Sequence, residues 1–305
     1  MAIVYTKLGR NGEALESYRR VLEVQRKVLG ENHPDTAGTL NNIAGLYADQ
    51  GKHEEALEAY VHVLEMRRTL FGEEHSSFAI TIFNMASVLD DQDRIEEALE
   101  AYGRALKIQC KVLGEEHPDT ASTMYNMAIV FKEQRRYEEA IELYGRALEV
   151  QRKTHGEEHP KTADTLFNMA NAYKDQELYD EALRAYGRVL EIQYKAMGKD
   201  HPNTRTADTI NNMAVLYKKQ GRYEEAIDSY GHALAVYQKA QGEEHPNVAG
   251  TIYNMANAYA QHGLYAQAAA SYDSAGDIYT NAYGEKHDET MDARNQAEAM
   301  REKLI

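Results

Sequence analysis

One short string, asparagine followed by methionine or isoleucine and then alanine, returns along this chain at a fixed spacing and restricts the fold more than any other feature. It stands at Asn42-Ile43-Ala44, Asn84-Met85-Ala86, Asn126-Met127-Ala128, Asn168-Met169-Ala170, Asn212-Met213-Ala214 and Asn254-Met255-Ala256. The step is 42 residues, with a single step of 44 whose two extra residues fall between His201 and Ala207, near Thr204 and Arg205. A period of this length is the mark of stacked repeats rather than of one irregular domain.

Each period holds two amphipathic helices. Ala121, Met124, Met127, Ala128 and Phe131 recur at three- and four-residue steps in the first, and Ala140, Tyr144, Ala147 and Leu148 do so in the second. Such spacing places them on one helical face. Alternating small and bulky residues let paired helices approach to about 8–10 Å and interlock. A glycine at 30, 72, 114, 156, 198, 242 or 284 separates the periods, and glycine tolerates the left-handed conformation that ends a helix. All five prolines (34, 118, 160, 202, 246) then occupy one slot, where a fixed φ suits a helix's first turn. The expected fold is all-α, a right-handed solenoid of antiparallel helix pairs.

Met127-Ala128 with Phe131, followed by Ala140 and Tyr144, resembles the core signature of a tetratricopeptide repeat, which is ordinarily about 34 residues long. The longer period, with Leu113-Gly114-Glu115-Glu116-His117-Pro118-Asp119, is similar to the variant found in kinesin light chains. Comparable long repeats also serve as sensor arrays in some nucleotide-binding signalling proteins. The resemblance implies one continuous array over 1–305: a truncated repeat (1–40), full repeats at 41–82, 83–124, 125–166, 167–210, 211–252 and 253–286, and a capping helix at 287–305. Met1-Ala2 aligns with Ile43-Ala44, so the first helix begins halfway along and is expected to leave apolar surface uncovered. That points to a fragment or a misplaced start. Arg294, Glu298 and Arg301 replace core positions in the last helix, as suits a closing helix that faces water.

Composition narrows the function. With 49 acidic and 34 basic residues the formal charge is −15, which disfavours nucleic acid and anionic membranes as partners. No apolar run approaches the roughly 20 residues needed to span a bilayer. Met1 to Arg10 lack the parts of a signal peptide, and a lone Cys110 makes no intrachain disulfide, so the expected compartment is the cytoplasm.

Chemistry is hard to place on this frame. The carboxylate pairs Glu54-Glu55, Glu96-Glu97, Glu138-Glu139, Asp180-Glu181 and Glu224-Glu225 open second helices, where they offset the helix dipole, and do not converge as an acid–base pair must. Histidines 33, 75, 117, 159, 201, 245 and 287 lie one repeat apart and do not converge on a metal; helix capping accounts for them. His155 reads as a partly buried packing residue and Cys110 as an exposed one without an activating base. We expect no enzyme, no cofactor and no metal.

The asparagines Asn42, Asn84, Asn126, Asn168, Asn212 and Asn254 are different. Asparagine inside a helix costs about 0.5–0.7 kcal/mol relative to alanine, and positions where local preference is overruled are strained or functional. Either the amides bond between successive helices, or they bind the backbone of an extended peptide, since an amide both donates and accepts. In kinesin light chains and related arrays the matching asparagines line the concave groove and touch bound peptide, and the resemblance carries that role to these six. Lys132, Lys174 and Lys218 share one position, with Lys219 beside the last, and would favour an acidic partner, although lysines near a helix C-terminus also suit its dipole. Asn171 and Asn257 extend the polar surface, and Tyr125, Phe167 and Tyr253 offer flat anchoring rings. A clamp for a C-terminal carboxylate is not expected: Gly38, Ile80, Ser122 and Asp164, then Asn41, Phe83, Tyr125 and Phe167, occupy the places where such clamps carry lysine. The expected function is a scaffold or adaptor for an extended acidic peptide, with a sensor array of a nucleotide-binding signalling protein as the alternative.

Overall fold

A computed structural model describes residues 1–197 and 204–305; the expectations for Gly198, His201 and Pro202 lie outside the described residues. Fifteen helices and no strand occur among the described residues. They fall into two compact units, Met1–Thr154 and His155–Ile305. The first holds α1 (Ala2–Lys7), α2 (Asn11–Val28), α3 (Pro34–Asp49), α4 (His53–Phe71), α5 (Ser76–Asp91), α6 (Ile95–Val112), α7 (Pro118–Glu133) and α8 (Tyr137–His155) up to its last residue. The second holds α9 (Pro160–Asp175), α10 (Tyr179–Met197), α11 (Thr204–Lys219), α12 (Tyr223–Gln241), α13 (Pro246–Gln261), α14 (Tyr265–Tyr283) and α15 (Asp288–Glu302). Consecutive helices pack on one another in each unit, and the first helices of neighbouring hairpins also touch, α3 on α5 and α11 on α13. Each unit is thus an α-solenoid of helix hairpins.

A tyrosine in every second helix ties hairpin to hairpin. Tyr60 packs among Ala44, Ala56 and Val88, Tyr102 among Ala86 and Val130, and Tyr186 among Ala170, Ala182 and Leu216. Tyr230 and Tyr272 repeat the arrangement against Ala258 and Met300. In each case the small alanines on both helices of one hairpin make room for the ring, and its far side meets the first helix of the next hairpin. The methionines after the ladder asparagines, expected to be buried, are half-buried; only Ile43 is buried at that position. Met85, Met127, Met213 and Met255 lie along the flank of the tyrosine clusters, where an unbranched thioether fills an irregular seam.

The helix ends follow from local chemistry. His33, His75, His117, His159 and His245 each accept through Nδ1 the backbone N–H two residues on, at 3.1–3.2 Å, satisfying one orphan donor of the first turn. Thr36, Thr120, Thr162 and Thr290 donate to the carbonyls of Gly30, Gly114, Gly156 and Gly284 and close the same loops. Three of the glycines do not take the left-handed helical conformation expected of them. Gly72, Gly242 and Gly284 have φ of 80 to 95° with ψ of 163 to 171°, an extended region essentially closed to residues with a Cβ. The left-handed residues sit inside the hairpins, where Asp93, Arg135 and Glu177 hold φ of 57 to 63° without being glycine.

His155 is exposed rather than partly buried, and its ring stacks on His159 at 4.7 Å as Phe71 stacks on His75 at 4.5 Å. Cys110 is half-buried, and burial pushes its thiol up. In the first unit Ile3, Val4, Val21, Val24 and Val28 are exposed. In α15, Arg294, Glu298 and Arg301 face water while Ala293, Ala297 and Met300 are buried. Among the described residues no helix is long and apolar enough to cross a membrane.

Candidate functional site

The carboxylate pairs at the openings of second helices are structural pieces. Arg94, Arg136 and Arg222, one residue before their helices, bond Glu97, Glu139 and Glu225 three residues on. Those bonds hold the three carboxyls below the usual carboxylate range. The Glu-Glu pairs of the long loops are engaged by the following hairpin: Lys111 reaches Glu74, Lys153 reaches Glu116 and Lys195 reaches Glu158.

The ladder asparagines behave otherwise. Asn42 is exposed and Asn84, Asn126, Asn168, Asn212 and Asn254 are half-buried. Among the described residues, the side chains of Asn42, Asn84, Asn126, Asn212 and Asn254 make no hydrogen bond within the protein. The chain of amide bonds between successive helices is therefore not formed by these five. Their donors and acceptors point to surface that solvent or another molecule must satisfy.

The residues expected to extend the ladder are tied down. Tyr186 donates to Asn171 at 2.5 Å, and Lys174 also reaches that amide oxygen at 3.4 Å. Tyr272 donates to Asn257 at 2.8 Å, and the Asn257 amide donates to the carbonyl of Tyr253. Tyr125, Phe167 and Tyr253 meet the core tyrosines Tyr144, Tyr186 and Tyr272 edge to face at 5.8, 5.6 and 5.1 Å, and Tyr253 also bonds Asp292. Lys132, Lys174 and Lys218 are half-buried in the last turns of α7, α9 and α11. Burial, with Lys219 alongside, lowers the Lys218 pKa, so an approaching carboxylate would relieve a real cost there.

At the lysine position of α5 stands Asp90. Burial first, then Glu133, Asp91 and Asp93, push its pKa from 3.8 up to about 6. Since the folded pKa exceeds the unfolded one, its stabilising effect is complete below about pH 4 and is lost as pH rises through 6. Asp90→Asn is expected to stabilise the protein at pH 7 by about 0.5–1 kcal/mol, the value being small because the group is only half-buried. Urea titrations at pH 7 and pH 4 check this: the gain should vanish at the lower pH, and an equal gain at both would refute the charge explanation.

The sequence missed a cleft of about 460 Å³ in the first unit, lined by Asn42, Gly45 and Asp49 of α3, Tyr60 of α4, and Asn84, Ser87 and Asp91 of α5, among others. Its origin is a gap in one column. Where Ser87, Asn171 and Asn257 accept or share the hydroxyl of the core tyrosine, the same place in α3 is Gly45. A Cβ there would lie 3.5 Å from the Tyr60 hydroxyl, in ordinary contact. In the second unit a smaller cleft of about 300 Å³ is lined by Asn254 together with Asn211, Asn247 and Tyr279. Among the described residues no group of three or more His, Cys, Asp or Glu is placed to hold a metal ion.

A tetratricopeptide repeat family model matches residues 1–69, 77–152, 125–195 and 205–281. Among solved structures, BtubC (BKLC) from P. vanneervenii is 24% identical with a TM-score of 0.67, covering 76% of this chain and 92% of its own. A Podosopora anserina protein described as a kinesin light chain with nearly identical TPR-like repeats is 25% identical with a TM-score of 0.60, covering 69% and 99%. YrrB, described as a TPR protein with an unusual peptide-binding site, is 20% identical with a TM-score of 0.52, covering 78% and 99%. No curated protein sequence matches significantly.

Proposed function

The chain belongs to the tetratricopeptide repeat family, and from that premise we propose that it is a non-enzymatic scaffold holding an extended peptide along the first helices of its hairpins. The observation that carries this reading is the set of ladder amides without intramolecular partners, kept in helix interiors despite their cost. Side-chain amides that recur once per hairpin suit the alternating donors and acceptors of an extended backbone, and a prefolded array limits the ordering cost of binding. Lys174 and Lys218 favour an acidic stretch over the second unit. The likeness to the Podosopora anserina structure supports a cargo-adaptor role of the kinesin light chain kind.

The test is a titration of fluorescently labelled acidic peptides, with basic and scrambled controls, at two salt concentrations. Replacing Asn168, Asn212 and Asn254 together with Ala should weaken acidic-peptide binding about tenfold or more, each amide contributing about 0.5–1.5 kcal/mol. Lys174→Ala with Lys218→Ala should weaken it severalfold and flatten its salt dependence. Equal affinity for acidic and basic peptides would remove the acidic preference. Undiminished binding in the triple asparagine variant would remove the ladder.

A further inference from the structure

The cleft at Gly45 brings two carboxylates together with a buried hydroxyl that no side chain satisfies. Asn42, Gly45 and Asp49 follow one another at three- and four-residue steps on α3, and Asn84, Ser87 and Asp91 do the same on α5, so each set shares a helical face. Among its lining residues the charged ones are Asp49 and Asp91. Among the described residues neither carboxylate has an ion-pair or hydrogen-bond partner. The same position is acidic again at Glu133 and Asp175 and basic at Lys219; Asp49 and Asp91 are the pair that flanks the glycine gap.

A second feature is independent of the carboxylates. Tyr60 is 3% exposed, yet its hydroxyl has no hydrogen-bond partner among the described residues and lies against the open space over Gly45. Of its counterparts, Tyr102, Tyr186 and Tyr272 are satisfied from the position that Gly45 occupies, whereas Tyr230, with Val215 at that position, is buried without a partner. Burial, then the field of Asp49, pushes the Tyr60 pKa up to about 12, so the hydroxyl stays protonated and neutral. Its lone pairs, the two carboxylates and the amide oxygens of Asn42 and Asn84 together make a cleft rich in acceptors, which calls for a multiply donating cation.

We infer that this cleft is a subsite for a lysine or arginine side chain of the bound peptide, its charged head received by Asp49, Asp91 and the Tyr60 hydroxyl. The inference rests on the peptide-groove reading and deepens it: the bound peptide carries a basic residue where it meets α3 and α5.

The experiment uses the full chain, deuterated and labelled with ¹⁵N, and follows the side-chain amide signals of the six ladder asparagines. The probes are capped hexapeptides Gly-Ser-X-X-Ser-Gly in which X is lysine, arginine, glutamine or glutamate. The lysine and arginine probes should move the Asn42 and Asn84 signals saturably and bind about threefold or more tighter than the glutamine probe, the scale expected of exposed charge pairs. The glutamate probe should leave both signals in place. Asp49→Asn with Asp91→Asn should abolish the preference. Gly45→Ser should weaken cation binding by giving the Tyr60 hydroxyl an internal partner, while the thermal midpoint stays the same or rises, which separates occupation of the cleft from misfolding. Equal shifts with lysine and glutamine probes, or a preference that survives the double aspartate substitution, would overturn the inference. Shifts at Asn168, Asn212 and Asn254 with silence at Asn42 and Asn84 for every probe would sink the subsite and leave the groove reading standing. Silence at all six would remove both.

Discussion

Replacing Tyr102 with Ala is expected to cost about 3–5 kcal/mol and to strip hydrogen-exchange protection from α5, α6 and α7. The ring is 1% exposed and joins two interfaces at once. It fills the space over Ala86 within its own hairpin, meets Val130 of the next, and receives Phe83 edge-on at 5.7 Å. Its hydroxyl shares a 2.9 Å bond with Ser87. Truncation therefore leaves a void that two rows of alanine cannot collapse into, and it weakens the neighbour coupling on which a stacked array depends. Tyr102→Phe removes only the bond to Ser87 and should cost about 0.5–1.5 kcal/mol. Tyr230→Phe is the informative control: that hydroxyl is buried without a partner, so its loss should be neutral or stabilising. Circular dichroism during urea unfolding, with exchange mapped by peptide, measures all three. A Tyr102→Ala cost below about 1 kcal/mol would show that the ring is not the tie between hairpins.

Repetition made the helical frame readable, because a pattern copied every 42 residues averages away the accidents of any one copy. The proline slot marked the starts of α3, α7, α9 and α13, and the histidine before it capped the helix as its position suggested. Features set by contacts between copies were harder to see. Nothing in the sequence of α9 distinguishes Asn168 from Asn171, yet Tyr186 claims the second, and only the stacking of α10 on α9 decides that. The conformation of Gly72 depends on where the chain must go next rather than on glycine's general freedom, so a left-handed ending was the wrong expectation. Asp93, Arg135 and Glu177 carry no turn signal strong enough to mark a positive φ, although the aligned Gly51, Gly221 and Gly263 do. The cleft at Gly45 was hidden for another reason. It is made by a side chain that is missing, and a reading that looks for chemically active residues passes over a glycine.

Arg67→Ala is expected to cost about 2–4 kcal/mol, whereas Arg67→Gln should cost less than about 1 kcal/mol. Arg67 is 9% exposed and has no carboxylate partner among the described residues. Its guanidinium instead donates to the Ser77 carbonyl and the Thr81 hydroxyl, both at 2.5 Å, and more weakly to the Asn41 amide oxygen at 3.5 Å. Burial lowers its pKa, the sign of a cation held at some cost by neutral acceptors alone. Alanine removes the bonds and opens a cavity between α4 and α5, so both losses add. Glutamine keeps much of the volume and a donor, and it relieves the desolvated charge. Gln25, Gln109, Gln151 and Gln193 stand at this place in other hairpins, and Gln109 is 2% exposed there, so the site accommodates that side chain. Equal destabilisation by alanine and glutamine would mean the charge itself is required. Because Asn41 also lines the Gly45 cleft, the two variants should differ in function as well: alanine loosens one wall and weakens capture of a basic side chain, while glutamine leaves it intact.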